Sequence, residues 1–166
     1  MERPEHVNRR EEYGHWEIDL VVGKAKSKPV LLTMAERRSR EPLVFKLPDK
    51  RAASVRKVFD TLERTQPDFR ERFKTITTDN GPEFLEYKQL TQSIHGGRRF
   101  EVYYCHSYSA WEKGGNENMN RMIRRWFPKG TDFSRVTKKE IAEFQNWLFH
   151  YPRKILGWRS PAELAV

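Results

Sequence analysis

The chain has 166 residues, and its 32 Lys and Arg against 23 Asp and Glu give a formal net charge of +9. This length fits one ordinary domain, and a hydrophobic content of 37% is enough to bury a core. No apolar run approaches the ~20 residues that a membrane-spanning helix needs. The charged N-terminus does not resemble a signal peptide, and a single cysteine excludes disulfide scaffolds and cysteine-rich zinc folds. We therefore predict a cytoplasmic protein without a membrane partner.

The basic excess favours a polyanionic partner, although a positive surface can also serve solubility alone. The basic residues form clusters with aromatic residues nearby, an arrangement that suits phosphate contacts beside base or sugar stacking. These clusters lie at residues 37–40, 98–99, 121–125 and 153–154.

The N-terminal half is predicted to hold three strands and a helix. Residues 1–13 are charged and lack a periodic apolar pattern, so we expect an arm or the remnant of a linker, with ordered structure from about Gly14 onward. Apolar residues alternate from Trp16 to Val22, which predicts a strand that turns Asp19 away from its most apolar side. Further strands are predicted at 30–35 and 42–47, and the short loops between them imply an antiparallel meander. The spacing of Val55, Val58, Phe59 and Leu62 predicts an amphipathic helix over 51–65.

The C-terminal half alternates strands and helices. A strand is predicted at 73–78, a helix at about 82–93, a strand at 100–105 and a helix at 116–126 whose core face includes Met119, Met122, Ile123 and Trp126. Capping boxes at Thr137 and Ser160 predict two further helices. This element order indicates an α/β fold with a mixed sheet in residues 14–166.

Three carboxylates stand at informative places in this pattern. Asp19 lies in the first strand, Asp79 follows the fourth, and Glu117 begins a helix. If they converge, their mutual repulsion is relieved by divalent cations, and oxygen-only ligands favour Mg²⁺ or Mn²⁺. Two such ions promote phosphodiester displacement. Taken singly, however, each carboxylate also has a structural explanation: an exposed strand residue, a turn residue, or a glutamate favoured by the helix dipole.

Several segments resemble the motifs of one family, the DDE transposases of bacterial insertion sequences, in the subgroup named after insertion sequence thirty. The three acidic motifs of its integrase core are matched by residues 14–19 (GHWEID), 77–84 (TTDNGPEF) and 108–120 (YSAWEKGGNENMN). Its C-terminal motifs are matched by residues 126–133 (WFPKGTDF), 152–154 (PRK), 156–157 (LG) and 160–163 (SPAE). The resemblance covers roughly residues 13 to 165.

The resemblance implies a ribonuclease-H-like fold with a five-stranded mixed sheet of order 3-2-1-4-5, flanked by helices. It implies that Asp19, Asp79 and Glu117 form the catalytic triad and hold Mg²⁺ or Mn²⁺, two ions per active site. The implied reaction is phosphodiester hydrolysis at transposon ends followed by DNA strand transfer. Full-length members of the family carry an N-terminal DNA-reading domain, so we expect this chain to be a catalytic-domain fragment that forms a dimer or higher multimer on DNA.

Further candidates surround the triad. Lys113, Arg121 and Arg124 are predicted to contact DNA phosphates, and Trp111 is the best candidate for base stacking. Asn116 and Asn120 either hold a DNA strand or bond locally. Glu83 either orients a metal-bound water or caps a helix, and His106 either touches the scissile phosphate or is structural.

Two other functions remain open from the sequence. A non-catalytic DNA-binding relic of a mobile element is compatible with the net charge, and a ribonuclease of the same fold would use the same carboxylates on RNA–DNA hybrids. One departure from the family pattern is the longer interval between Asp79 and Glu117, whose surplus we assign to a loop around residues 93–99.

Overall fold

The computed structural model describes residues 3–79, 87–105 and 114–165, without the side chains of Tyr87 and residues 114–116. Within these ranges the first elements are α1 (Glu5–Asn8), β1 (His15–Val22), β2 (Val30–Glu36), β3 (Pro42–Leu47), α2 (Ala52–Thr65) and α3 (Phe69–Arg72). They are followed by β4 (Thr75–Thr78), α4 (Tyr87–Thr91), β5 (Glu101–Tyr104), α5 (Gly114–Trp126), α6 (Lys138–His150), a 3-10 turn (Lys154–Leu156) and α7 (Pro161–Leu164). None of the described helices is long and apolar enough to cross a membrane.

The five strands form one mixed sheet in the order β3-β2-β1-β4-β5. Strands β1, β2 and β3 pair antiparallel, as their short connections predict, whereas β4 and β5 join in parallel. Parallel pairing requires a crossover, which α2 and α3 supply between β3 and β4. The predicted α/β class and strand order are confirmed.

Each face of the sheet carries its own hydrophobic core. Trp16 and Ile18 of β1 point to the side covered by α2, where Val55 and Phe59 are fully buried. Val21 of the same strand points to the opposite side, covered by α5 and α6. This division follows from the alternation of side chains along a strand. Asp19 shares the face of Val21, as predicted.

The N-terminal segment departs from the expected onset of ordered structure near Gly14. Residues 5–8 form α1, the Val7 side chain is fully buried, and its carbonyl oxygen accepts a hydrogen bond from Arg37 Nε at 3.4 Å. The buried Val7 side chain anchors this segment to the rest of the domain. A single apolar residue in one helical turn forms no periodic pattern, so the sequence did not reveal it. The description of residues 1–13 as the remnant of a linker stays a prediction.

Further differences concern helices. Residues 69–72 form α3 where no helix was predicted, so β4 begins at Thr75 rather than at residue 73. Of the helix expected over 82–93, the described part is helical at Tyr87–Thr91, and residues 82–86 lie outside the described ranges. Trp126, predicted to be core, is 42% exposed at the last residue of α5, although its ring contacts Phe144 and Trp147. The two predicted capping boxes are present at Thr137 and Ser160.

The interval around residues 93–99, predicted to be a surplus loop, is anchored to α2. Arg99 is fully buried and forms ion pairs with Asp60 at 2.6 Å and Glu63 at 3.3 Å. Its guanidinium lies over the rings of Phe59 and Phe100, 5.7 and 5.5 Å from their centroids. The interval is thus an exposed loop over residues 94–98, and its two buried ends, Ser93 and Arg99, are anchored to α2.

Candidate active site

The register of the parallel strands places the two candidate aspartates side by side. Glu17 of β1 pairs with Thr77 of β4. Continuing this register by two residues brings Asp19 opposite Asp79, which directly follows β4. Adjacent strands lie about 4.8 Å apart, and residues at matching positions point to the same face. Asp19 lies on the side of the sheet that α5 covers, and the continued register predicts the same side for Asp79.

Hydrogen bonds hold the Asp19 carboxylate in one orientation. Its Oδ1 accepts from the backbone N–H of Leu20 at 2.9 Å, and its Oδ2 accepts from Asn120 Nδ2 at 3.1 Å. The Asn120 Oδ1 atom is buried and has no hydrogen-bond partner among the described residues. Asn120 therefore ties α5 to the strand that carries Asp19, a long-range contact that the sequence did not predict, and its contact with DNA stays a prediction.

Glu117 approaches the same region from α5. It lies in the first turn of the helix, three residues before Asn120, so the two share one side of the helix. Its side chain is exposed. In the described parts of the chain, no three His, Cys, Asp or Glu side chains lie close enough together to hold a metal ion as they stand. The donor chemistry nevertheless fits a hard cation, because all three carboxylates offer only oxygen.

Most of the flanking candidates lie outside the described residues. Glu83, His106, Trp111 and Lys113 are not described, nor is the side chain of Asn116. Their assignment stays a prediction.

Arg124 and Arg121 differ in surroundings although both lie on α5. Arg124 donates to the carbonyl oxygens of Val22 at 2.9 Å and Phe127 at 3.5 Å, so it joins the end of β1 to the C-terminus of the helix. Arg121 is exposed and lines a cleft on the neighbouring side of α5. Of these two arginines, Arg121 can contact a partner directly, whereas Arg124 would first have to break its hydrogen bonds to backbone carbonyl oxygens.

That cleft has a volume of about 760 Å³ and collects basic residues from distant parts of the sequence. The basic cleft, as we call it, lies between α5 and the segment 151–158, and six cations line it: Arg10, Arg40, Arg121, Arg125, Arg153 and Lys154. Three of the four basic clusters in the sequence contribute to it. The two arginines of the fourth cluster form ion pairs within the chain: Arg98 pairs with Glu101, and Arg99 pairs with Asp60 and Glu63. The clustering was visible in the sequence, but its convergence and the participation of Arg10 were not.

A buried ion pair lies beside Asp19 on the same face of β1. Glu17, two residues earlier, accepts a hydrogen bond from Arg37 Nη1, and both side chains are almost fully buried. Burial lowers the pKa of Arg37 to about 10, against the attraction of Glu17. The sequence motif names Asp19 as the catalytic candidate but gives no role for Glu17, and the structure assigns Glu17 to this ion pair.

Comparisons with known proteins identify the family to which the chain belongs. A model of the integrase core domain matches residues 9–109. The chain is 39% identical over 162 residues to the transposase for insertion sequence element IS4351 of Bacteroides fragilis, covering 98% of this chain and 47% of that protein. It is 33% identical over 163 residues to the transposase InsI for insertion sequence element IS30C of Escherichia coli, covering 98% of this chain and 40% of that protein. The chain thus spans less than half the length of these relatives.

Among solved structures, the chain is similar to a chain of the simian T-cell lymphotropic virus intasome in complex with PP2A regulatory subunit B56 gamma. The TM-score is 0.65 at 13% sequence identity, and the match covers 92% of this chain and 54% of that one. At this identity the likeness concerns the fold. Together with the strand order, it identifies the fold as ribonuclease-H-like, as the sequence resemblance implied.

Proposed function

This chain belongs to the integrase core domain family, and from that premise we propose that it is the catalytic core of a DNA transposase with Asp19, Asp79 and Glu117 as its catalytic carboxylates. The observation that supports this most strongly is the parallel register of β1 and β4, which, continued by two residues, sets Asp79 beside Asp19. Asn120, bonded to Asp19, lies one turn from Glu117 on α5. The three carboxylates therefore come from elements that are already in contact.

The family depends on a divalent metal, and we propose Mg²⁺ or Mn²⁺, two ions per site, held by the same three carboxylates. Oxygen donors of this kind select hard cations over zinc. When bound, such ions activate the attacking oxygen and stabilise the leaving oxygen of a phosphodiester. The attacking group is water in strand cleavage and the freed 3′-hydroxyl in strand transfer.

The chain itself contributes orientation and charge. The Leu20 N–H and Asn120 Nδ2 hold the Asp19 carboxylate before any ligand arrives, so little conformational freedom is lost on binding. The rigid support is β1, which pairs on both sides inside the sheet. The net charge of +9 attracts DNA to a site that is itself acidic. Joining two transposon ends requires two active sites, so we also propose a dimer or higher multimer on DNA.

The first experiment is calorimetric titration of Mn²⁺ into the 166-residue chain, with and without a DNA duplex. Binding to the wild-type chain should be lost in Asp79→Asn and retained in Asp68→Asn, an exposed aspartate that serves as the matched control. Equal binding by the wild-type chain and Asp79→Asn would contradict the proposed metal site.

The second experiment measures Mn²⁺-dependent cleavage of supercoiled plasmid. Glu117→Gln should abolish cleavage, whereas Glu143→Gln, an exposed helical glutamate on α6, should not. Cleavage that persists in Glu117→Gln would refute the assignment. DNA binding without any metal effect on the products would favour the non-catalytic relic, and cleavage of an RNA–DNA hybrid in place of plasmid would favour a ribonuclease.

A further inference from the structure

The basic cleft is separate from the carboxylates yet adjoins them around one helix. Viewed down the axis of α5, Glu117 lies between Asn120, which contacts Asp19, and Arg121, which lines the cleft. Arg125 follows Arg121 one turn later on the same side. Residues four apart on a helix have Cβ atoms about 5–6 Å from each other, so the edge of the cleft at Arg121 directly neighbours Glu117.

Two arginines of this cleft are largely buried, and one of them, Arg153, has a guanidinium nitrogen without a hydrogen-bond partner among the described residues. Arg153 is 7% exposed, and its Nε atom has no hydrogen-bond partner among the described residues. Its Nη2 reaches only the carbonyl oxygen of Leu148 at 3.3 Å. Arg40 is 8% exposed, and within the described ranges no hydrogen bond or ion pair involves its guanidinium. Buried cations are ordinarily paired, so this arrangement calls for an anion.

The electrostatic surroundings point the same way. Burial lowers the pKa of Arg40, with a further contribution from the like charge of Arg10. Burial likewise lowers the pKa of Arg153, and Arg40 adds to the effect. Glu17 and Glu36 offset part of the charge on Arg40. Glu17, however, is paired with Arg37, and none of the described residues that line the cleft is acidic.

The size and rim of the cleft fit a polymer better than a single small anion. Six cations spread over about 760 Å³ exceed what one phosphate ion can contact. Trp158 and Ile155 line the same cleft and are 69% and 65% exposed. An exposed tryptophan beside basic side chains is the combination that stacks on a sugar or an unpaired base while the cations hold the backbone.

We propose that the basic cleft binds the phosphate backbone of a DNA segment next to the one that reaches the carboxylates, with Arg40 and Arg153 as buried phosphate ligands and Arg121 and Arg125 at its entrance. Guanidinium groups suit this role because they donate two parallel hydrogen bonds to phosphate oxygens. The inference rests on the proposed function in taking DNA as the partner. It adds a second contact surface that positions the strand relative to Glu117.

The test is equilibrium binding of a fluorescein-labelled DNA duplex of mixed sequence in buffer with EDTA, over a series of salt concentrations. Arg121→Gln/Arg125→Gln changes only exposed side chains, so the fold should be preserved. Removing each phosphate-binding arginine should weaken binding roughly five- to tenfold at ~0.1 M salt and reduce the slope of log K against log salt by about 0.9. The matched control is Arg64→Gln/Arg70→Gln, exposed on α2 and α3 across the sheet, which removes the same charge.

A second measurement locates the DNA independently of affinity. The one natural cysteine, Cys105, is buried, so Lys154→Cys provides a unique exposed attachment point for a photocrosslinker. We expect crosslinks to DNA from position 154 and none from the same label on Arg64→Cys.

The proposal is overturned if Arg121→Gln/Arg125→Gln and the control have equal affinity and salt slope, or if position 154 crosslinks no better than position 64. It is also overturned if an RNA duplex of the same length binds the cleft more tightly than DNA. Because binding is measured without metal, these results do not depend on the carboxylates. Persistent cleavage in Glu117→Gln would refute the proposed function and leave the binding result intact.

Discussion

The ion pair between Glu17 and Arg37 offers the sharpest test of the structure next to Asp19. Both side chains are almost fully buried, 1% and 3% exposed. Replacing one partner by Met leaves the other charge buried without its counter-ion, which costs about 3–5 kcal/mol of folding free energy. At about 2–4 °C per kcal/mol for a chain of this size, Glu17→Met should lower Tm by about 6–20 °C.

The surroundings of Arg37 make this loss asymmetric. Burial and the nearby charges of Arg3, Arg10 and Arg40 oppose a positive charge there, and Glu17 is the carboxylate that favours it. Glu17→Met should therefore be at least as damaging as Arg37→Met. In the double variant both charges are gone and the two Met side chains fill a similar volume. We expect its stability to return to within about 1 kcal/mol of the wild type.

The assay is urea unfolding at neutral pH, followed by circular dichroism, for the wild type, both single variants and the double variant. A double-mutant cycle then isolates the coupling energy between the two side chains. The reasoning is refuted if either single variant loses less than about 1 kcal/mol, or if the two losses add in the double variant.

Two further predictions concern stability away from the site. Burial alone would raise the pKa of Glu63, but hydrogen bonds from Ser93 and Ile94, together with Arg99, hold it below the usual value of 4.5. The ionised Glu63 carboxylate therefore stabilises the fold above pH 4.5, and this stabilisation is lost as the pH falls through the folded-state pKa. Glu63→Gln should lower the free energy of unfolding by about 1.5–3 kcal/mol at pH 7 and by much less in acid. A loss that is independent of pH in urea titrations would contradict this. In Gly23→Ala the new Cβ would lie 2.2 Å from the Thr131 carbonyl oxygen. We therefore expect this variant to lose about 1–3 kcal/mol of folding free energy. An unchanged Tm would show that the backbone moves to accommodate the Cβ and would contradict the prediction.

Local patterns in the sequence determined most of the elements and the candidate carboxylates. Strand alternation placed Asp19 on the face opposite Trp16, and the capping box at Thr137 located the start of α6. These signals are readable because they depend on neighbours within a few residues. The order of the strands came instead from a resemblance to a family, since no local pattern specifies which strands pair.

Local patterns failed where burial depends on distant residues. The short helix at residues 69–72 and the anchoring of Val7 each rest on one or two side chains filling a space that other elements create. Arg99 looked like part of a basic surface, yet it is buried between two carboxylates of α2. Sequence composition counts charges without showing which of them are neutralised inside the fold.

The sequence by itself determined the fold class, the periodicity of the elements and the motifs that carry Asp19, Asp79 and Glu117. Only the tertiary structure decided which polar side chains support the site and which meet a partner. It assigned Glu17 to Arg37 and Asn120 to Asp19, and it gathered basic residues as far apart as Arg10 and Lys154 into one cleft. The physical reason is that ion pairing and clefts arise from contacts between residues far apart in the chain, and such contacts exist only once the sheet and its two covering layers have packed.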